Sequence, residues 1–358
     1  MAGEDTTAPK RKRPLGLKAR SAKKANTEEA PNTTPAVADF ADDNTATVML
    51  RGDDANEIDE LEGIFESALE AIASSDSDDE RATTLLRGTV HESDRLLRLH
   101  DTTDAGTPLE PRFYFIYGSA LFNLAELAAR PDEKRTYLDL AQHRLEQALA
   151  AEGEPVAGRV CLALAKVELE LAAEDNAQAH VEGALRMLDR ALAASETPDA
   201  AHAEALAAAD MVLSLADSQR LPAQPSAALV AWGEARAREL VGRQPDAEAN
   251  ACVLARALWL RASALLDADD EIADRGAFVE LLGEASELLA AASSSDALAL
   301  RGEIEINLGN AQDDEAEMEK LYGRAVATFR QAQAQGELPE QFVQFIDDFE
   351  NGDSSDED

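Results

Sequence analysis

The sequence predicts an all-α fold, and three observations carry this prediction. Aromatic residues make up only 4% of the 358 residues, and the abundant Ala and Leu side chains suit close helix–helix packing better than a large β-sheet. From residue 57 onwards, apolar residues recur at spacings of three and four, which is the period of one helix face. Breaks interrupt this pattern roughly every 25 to 45 residues, which is the spacing of stacked helical hairpins.

The first two helices are predicted from the positions of their large apolar residues. An acidic segment, Ser74 to Glu80, ends the first helix, and the helical period resumes from Leu85 to Leu99. The Thr-, Gly- and Pro-rich segment Asp101 to Pro111 predicts a loop after the second helix. The apolar face of the first helix consists of Ile58, Leu61, Ile64, Phe65, Leu69 and Ile72.

A long run of further helices is predicted from Phe113 to about Phe349. Proline lacks an N–H donor, so each proline ends a helix or lies in its first turn. A last apolar stripe, Phe342, Phe345, Ile346 and Phe349, predicts a helix that caps the final repeat or docks on a partner. The breaks between helices are predicted at Arg130-Pro131, Gly153–Pro155, Thr197-Pro198, Pro222–Pro225, Gln244-Pro245, Ser293–Ser295 and Leu338-Pro339.

An internal repeat of small residues indicates how these helices pack. In tetratricopeptide-like helix pairs, the second helix carries small residues so that neighbouring backbones approach closely. We therefore predict a tetratricopeptide-like helical repeat solenoid, with an irregular helical bundle as the alternative. The repeated pattern, Ala-x3-Leu/Phe-x2-Ala, occurs at Ala141/Leu145/Ala148, Ala184/Leu188/Ala191, Ala285/Leu289/Ala292 and Ala325/Phe329/Ala332.

Composition divides the chain into three parts. Residues 1–54 contain few large apolar side chains, so burial cannot offset their ordering entropy and we predict a disordered arm. Residues 55–349 form the predicted α-helical repeat domain, and residues 350–358 form an acidic, disordered tail. Four serines precede an acidic residue by three positions, which is the pattern of acid-directed kinases: Ser75, Ser77, Ser354 and Ser355.

The formal net charge of −38 limits the partners that the chain can bind. Duplex nucleic acid and anionic membrane surfaces are negatively charged, so both should repel the acidic body. No apolar run approaches the roughly 18 residues of a membrane span, and the polar N-terminus has no secretory signal. We expect a monomer that binds basic protein partners and makes no direct contact with nucleic acid or membrane.

No pattern in the sequence is typical of a catalytic, metal-binding or cofactor-binding site. Phosphate-binding glycine loops and the Gly-x-Ser-x-Gly elbow are absent, as are the His-Glu-x-x-His and Cys-x2-Cys zinc motifs. Cys161 and Cys252 lie within helical patterns and are predicted to be buried, reduced thiols. Five histidines are predicted to lie on the surface or at helix ends: His91, His100, His143, His180 and His202.

The N-terminal arm contains a strongly basic segment. Eight Lys and Arg residues and no acidic residue lie between Ala8 and Lys24. Lys10, Arg11, Lys12 and Arg13 are followed, after nine residues, by Lys23 and Lys24. This layout is typical of a bipartite nuclear localisation signal, an extended basic peptide that binds the acidic groove of an import carrier. A weak RNA-binding arm and an intramolecular clamp on the acidic body are the alternatives.

Two segments resemble the fungal enhancer of translation termination family, which includes a negative regulator of a prolyl-hydroxylase-like 2-oxoglutarate dioxygenase. The first is the basic run that leads into Arg13, Pro14, Leu15, Gly16 and Leu17, and the second is Pro111 to Phe122. The resemblance implies an all-helical, tetratricopeptide-like nuclear protein. It also implies roles in translation termination and in oxygen-dependent gene regulation, through binding of the dioxygenase and coupling of cargo to import.

The second segment also holds the densest aromatic cluster of the chain. Phe113, Tyr114 and Tyr117 belong to it, together with Phe115 and Phe122. Aromatic residues dominate binding hot spots, so Phe113, Tyr114 and Tyr117 are candidate partner-binding residues. The alternative is that these rings face a neighbouring helix and belong to the core.

The leading functional hypothesis is a nuclear, non-enzymatic scaffold or adaptor. Its expected partners are a 2-oxoglutarate dioxygenase, a nuclear import carrier and the translation termination machinery. The alternative is an acidic chaperone for histones or ribosomal proteins, which the net charge would suit. An enzyme is a third possibility, and it would require a pocket with perturbed titrating groups.

Replacement of Lys10, Arg11, Lys12 and Arg13 by Ala should move the protein from the nucleus into the cytoplasm, because the larger basic cluster of the import signal is lost. Fluorescence microscopy of the tagged full chain measures this distribution. Unchanged nuclear accumulation would contradict the import interpretation.

Overall fold

The structure is a computed structural model that describes residues 56–74, 79–103, 109–151, 157–174, 177–195, 197–266 and 272–352. Within these ranges it contains thirteen α-helices and no β-strand longer than an isolated bridge between Leu266 and Ile272. The all-α prediction is confirmed. The helices are α1 Glu57–Ala73, α2 Asp79–Thr103, α3 Pro111–Leu127, α4 Pro131–Ala150, α5 Ala157–Ala172, α6 Ala177–Ala193, α7 Pro198–Asp217, α8 Ala223–Arg243, α9 Glu248–Ser263, α10 Arg275–Leu288, α11 Ser295–Asn310, α12 Glu315–Gln335 and α13 Glu340–Gly352.

Consecutive helices pack as hairpins in the first compact unit, whose described residues lie between 56 and 232. Here α1 packs on α2, α3 on α4 and α5 on α6. Each hairpin touches the next through α2 and α3 or through α4 and α5. Helix α3 also touches α1 and α5, so the first helices of successive hairpins lie side by side.

The second compact unit comprises residues 233–352 and is built in the same way. Helix α9 packs on α10 and α11 on α12, while α9 and α10 both touch α11. Helix α13 packs on α12 and ends the array within this unit. The boundary between the units lies within α8, so the region predicted as one repeat domain, 55–349, consists of two units.

Small residues at the hairpin interfaces let the paired helices approach closely. The four copies of the Ala-x3-Leu/Phe-x2-Ala pattern lie on α4, on α6, at the C-terminal end of α10 and on α12, and their central Leu or Phe residues are fully buried. At Gly118 of α3, a Cβ atom would lie 2.6 Å from Leu145 Cγ of α4, so only glycine fits there without a shift. The tetratricopeptide-like prediction is confirmed by this packing.

Aromatic side chains make the equivalent contact in the second unit. A Cβ atom at Gly302 of α11 would lie 2.7 Å from Phe329 Cδ1 of α12. The Phe329 ring in turn stacks on Phe342 of α13, with ring centroids 4.5 Å apart. Phe345 meets Tyr322 edge to face at 5.8 Å. Helix α13 therefore caps the last hairpin, as one of the two interpretations of its apolar stripe predicted.

Hydrogen bonds join the start of α9 to the loop before α11. The Glu248 carboxylate accepts hydrogen bonds from the Ser293 N–H at 3.0 Å, the Ser293 hydroxyl at 2.8 Å and the Ser294 N–H at 2.9 Å. Hydrogen bonds from Ser294 and Ser293 lower the pKa of Glu248 to about 2, since they stabilise its charged form. Sequence periodicity gives no sign of this contact, which spans 45 residues of the chain.

Several helix ends differ from the predicted positions. Helix α2 begins at Asp79 and ends at Thr103, so it includes five residues that were predicted as loop; acidic residues are favourable in a first helical turn. Helix α13 extends three residues past the predicted boundary, to Gly352, where the Glu350 carboxylate accepts a 2.8 Å hydrogen bond from Arg330. The predicted break at 153–155 and the predicted arm lie outside the described residues.

The contact between Gly302 and Phe329 can be tested with a matched pair of substitutions. Gly302→Ala should lower the free energy of unfolding by about 1–3 kcal/mol, because the added methyl group overpacks the Phe329 ring. Gly323→Ala should raise it by about 0.5–1 kcal/mol, because this α12 glycine has no atom near its Cβ position and alanine favours the helix. Urea denaturation measures both, and equal effects would contradict the packing argument.

Candidate protein-interaction surface

The predicted import signal and the family motif lie outside the described residues. This applies to Lys10, Arg11, Lys12, Arg13, Lys23 and Lys24, and to the motif Arg13 to Leu17. Their roles stay predictions. The three candidate partner-binding aromatics, by contrast, all lie on α3.

Helix α3 packs against both α2 and α4. Phe113 is fully buried and Tyr117 is 4% exposed, so both side chains belong to the core. Phe113 meets Tyr114 edge to face at 5.2 Å and Tyr117 at 6.2 Å. Tyr114 is only partly buried, so it alone of the three presents part of its ring to solvent. Partner binding by these three residues stays a prediction. Of the three, Tyr114 suits this role best, because Phe113 and Tyr117 are buried.

Polar side chains of α2 and α4 contact Tyr117 of α3. The Tyr117 hydroxyl donates a short hydrogen bond to Asp94 Oδ1 of α2, and the Arg144 guanidinium of α4 lies 4.8 Å from the centre of the Tyr117 ring. Burial, reinforced by Asp94, raises the pKa of Tyr117 to about 12, so the phenol stays protonated at physiological pH. Burial also raises the pKa of Tyr114, which lies near Arg144.

A third tyrosine, Tyr137, lies on α4 near Arg87 of α2. The Tyr137 hydroxyl donates to Glu133 Oε1 at 3.2 Å. Burial raises the pKa of Tyr137, and Glu133 acts in the same direction, while Arg87 of α2 opposes it. We call Tyr114, Tyr117, Tyr137, Arg87 and Arg144 the tyrosine cluster. Its accessible rings, Tyr114 and Tyr137, and its cationic side chains can contact a partner.

An ion-pair network that the sequence did not reveal joins α3, α4 and α5 to a residue that follows α7. Lys134 and Glu170 are half-buried in it, whereas Glu126 and Arg220 are exposed. Lys134 Nζ lies 3.3 Å from Glu126 and 2.7 Å from Glu170, and Arg220 contacts Glu170 at 3.3 Å. Burial alone would raise the pKa of Glu170, but hydrogen bonds and charge from Lys134, together with Arg220, outweigh burial and lower it. The two contacts of Glu170 form only on folding, because Lys134 and Arg220 lie 36 and 50 residues away from it in the sequence.

A polar cluster elsewhere in the first unit joins α4, α5 and α6. His180 Nδ1 lies 2.5 Å from Glu168 Oε2, and Gln142 donates to the other oxygen of this carboxylate at 2.9 Å. Across the ranges described above, no three His, Cys, Asp or Glu residues are placed to bind a metal ion. Cys161 is buried and Cys252 is half-buried, and burial raises the pKa of Cys161. No described helix has the length and apolar character needed to cross a bilayer.

Comparison with known proteins finds a family model that matches part of this chain. Residues 8–173 match the model of the family described as nuclear pore complex subunit Nro1. The Schizosaccharomyces pombe protein named negative regulator of ofd1 is 33% identical over 129 residues, which are 34% of this chain. The match spans only 31% of that protein's length, so about two thirds of the relative has no counterpart in the match.

Solved structures share the fold. Two crystal forms of the S. pombe nuclear import adaptor Nro1 superpose with TM-scores of 0.55 and 0.52, at 20% and 22% sequence identity. The first covers 86% of this chain and 100% of the adaptor; the second covers 82% and 98%. A third structure, described as the hypoxic regulator of sterol synthesis Nro1 and as a nuclear import adaptor, gives a TM-score of 0.52 at 22% identity, with 82% and 93% covered. At these identities the likeness establishes a common helical fold.

These matches bear on the resemblance noted in the sequence. Both motifs, Arg13 to Leu17 and Pro111 to Phe122, lie within the matched residues 8–173. The matches support the part of the resemblance that concerns the negative regulator. They do not confirm the label of enhancer of translation termination, which stays a prediction.

Two substitutions separate core from surface aromatics on α3. Phe113→Ala should lower the free energy of unfolding by about 3–5 kcal/mol, because it leaves a cavity under a fully buried ring. Tyr114→Ala should cost much less, because part of the Tyr114 ring is already in water. Chemical denaturation measures both effects. A cost for Tyr114→Ala as large as that of Phe113→Ala would show that Tyr114 is a core residue and would remove it from the candidate interface.

Proposed function

We propose that this chain is a nuclear import adaptor of the family whose model matches residues 8–173. The observation that carries the proposal is the extent of that match: it spans both the basic arm and helices α1 to α5. A single matched region therefore joins a segment suited to an import carrier with a helical surface suited to a protein partner. The adaptor acts in the nucleus and without catalysis.

The fold supports this role on physical grounds. Stacked helical hairpins present an extended surface that binds proteins without large rearrangement. The described residues hold no cluster of His, Cys, Asp or Glu placed to bind a metal ion. The chain's net charge of −38 favours association with basic segments of a partner and disfavours nucleic acid.

The finer part of the proposal concerns the cargo. The relative's name, negative regulator of ofd1, and the description of a related structure as a hypoxic regulator of sterol synthesis support a role in oxygen-dependent regulation. We include in the proposal a 2-oxoglutarate dioxygenase as cargo, as the sequence resemblance implies. The proposal also includes a role in translation termination, which the resemblance implies.

An adaptor couples the location of its cargo to its own import signal. In cells that express the full chain with Lys10 to Arg13 replaced by Ala, the dioxygenase should therefore become cytoplasmic while it still copurifies with the variant. Replacement of Thr33 and Thr34 by Ala, in the same arm, is the matched control and should leave both proteins nuclear. Cell fractionation and copurification measure the two properties, and a dioxygenase that stays nuclear would contradict the adaptor function.

The acidic chaperone is the second candidate, supported by the net charge. A salt series distinguishes the two functions, because exposed charge pairs are screened while a packed interface is not. A chaperone should release histones and ribosomal proteins together as salt rises. An adaptor should retain one cargo through moderate salt.

A further inference from the structure

Helices α1, α3 and α5 of the first unit present one continuous face away from their hairpin partners. Two contacts set their register: Arg112 of α3 binds Asp59 of α1 at 2.8 Å, and Arg159 of α5 lies 4.7 Å over the Phe115 ring of α3. Residues at spacings of three and four continue each stripe along its helix. We define the α1–α3–α5 face by Glu66 and Glu70 of α1, Phe115 and Phe122 of α3, and Arg159 and Lys166 of α5.

The α1 side of this face is acidic. Helix α1 contains six acidic residues and no basic residue. Glu57, Asp59 and Glu62 are neutralised by arginines of α2 and α3. Glu66 and Glu70, one turn apart, are exposed and have no ion pair or hydrogen bond with any described residue. This edge therefore carries negative charge that the folded unit does not compensate.

The centre of the face, on α3, is apolar or small. Phe115 and Ser119 are each 8% exposed, and Phe122 is half-buried. Their spacing of four and then three places them on one stripe of α3. Phe122 is the more accessible of the two rings, because Phe115 is nearly buried and the Arg159 guanidinium lies over it.

The α5 side of the face is basic, in contrast to the rest of the acidic chain. Arg159 and Lys166 are both exposed on one stripe of α5. Of the three lysines that the structure describes, Lys134 and Lys320 form ion pairs with glutamates, whereas Lys166 has no such partner among the described residues. An uncompensated cation thus lies across the apolar centre from the uncompensated carboxylates of α1.

We propose that the α1–α3–α5 face binds an amphipathic helix of the partner, with the apolar stripe of that helix packed on Phe122 and on the exposed edge of Phe115. Basic side chains on one flank of that helix would meet Glu66 and Glu70, and acidic side chains on the other would meet Arg159 and Lys166. Packed helix axes lie about 8–10 Å apart, so α1 and α5 are separated by about 20 Å, which accommodates one helix about 10 Å wide over α3. The proposal rests on the proposed adaptor function, since it assigns the cargo-binding face.

Three fluorescent peptides about 18 residues long, or five helical turns, test the charge pattern. All share a leucine stripe; one has lysine on one flank and glutamate on the other, one has lysine on both flanks, and one has glutamate on both. Fluorescence anisotropy with the full chain at physiological ionic strength measures their affinities. The mixed-flank peptide should bind most tightly, because it alone complements both edges of the face. Tighter binding of the all-lysine peptide would mean that general acidity governs binding and would overturn the proposal.

Charge reversals locate the binding site. Lys166→Glu should lower the affinity for the mixed-flank peptide by roughly threefold to tenfold, since an exposed ion pair becomes a repulsion. The same variant should bind the all-lysine peptide more tightly. The double variant Glu66→Lys with Glu70→Lys should have a lower affinity for the mixed-flank peptide and a higher affinity for the all-glutamate peptide. Arg186→Glu on α6 and Glu146→Lys on α4 are matched controls, because both residues are exposed, lie off this face and have no partner among the described residues. Equal effects of face and control variants would overturn the proposal.

A competition experiment tests the occupant. A peptide of residues 8–24 should displace the mixed-flank peptide poorly, because it is basic throughout. Displacement at concentrations below those of the mixed-flank peptide itself would assign the face to the chain's own arm and overturn the proposal. The cargo provides the separate check: retention of the dioxygenase by Lys166→Glu at wild-type affinity would reject this face while leaving the adaptor function intact.

Discussion

Close contact between a small residue on one helix and a Leu or aromatic side chain on the next sets the geometry on which this fold depends. Gly118 accommodates Leu145, and Gly302 accommodates Phe329, at distances that leave no room for a methyl group. Because the paired backbones approach so closely, an aromatic-poor sequence still buries an apolar core in each unit. The same kind of contact occurs in both units, with Leu in one and Phe in the other, so the close spacing of the two helices in a hairpin is their common feature.

That spacing also determines which groups reach the surface together. With the second helices packed against one side of α1, α3 and α5, the opposite side of these helices forms a continuous face. Ion pairs such as Arg112 with Asp59 then fix the register between them. Uncompensated charges of opposite sign, Glu70 and Lys166, consequently lie on opposite edges of one apolar strip. The proposed binding face therefore follows from the repeat packing and from which carboxylates the arginines leave unpaired.

The sequence predicted the elements whose signals are local. Proline positions gave the starts of α4, α7 and α8 correctly, and the alanine pattern identified second helices such as α12. The breaks after α5, α9 and α11 were missed because they contain no proline; side chains such as Asp274 and Asp314, which cap the next helices, were the available signal. Contacts such as Lys134 with Glu170 and Glu248 with Ser293 join distant parts of the chain, and no local period encodes them. The basic edge on α5 was also missed, because the overall charge pointed to a uniformly acidic surface.

Hydrogen exchange of the wild-type protein and of Gly118→Ala tests the central claim that close packing within each hairpin holds the fold together. In a repeat protein each hairpin is stabilised mainly by its nearest neighbours. The account predicts that the added methyl group lowers amide protection in α3 and α4 and in the adjoining α2 and α5, while protection in α9 to α12 is unchanged. Unchanged protection in α3 and α4, or an equal loss throughout the chain, would contradict it.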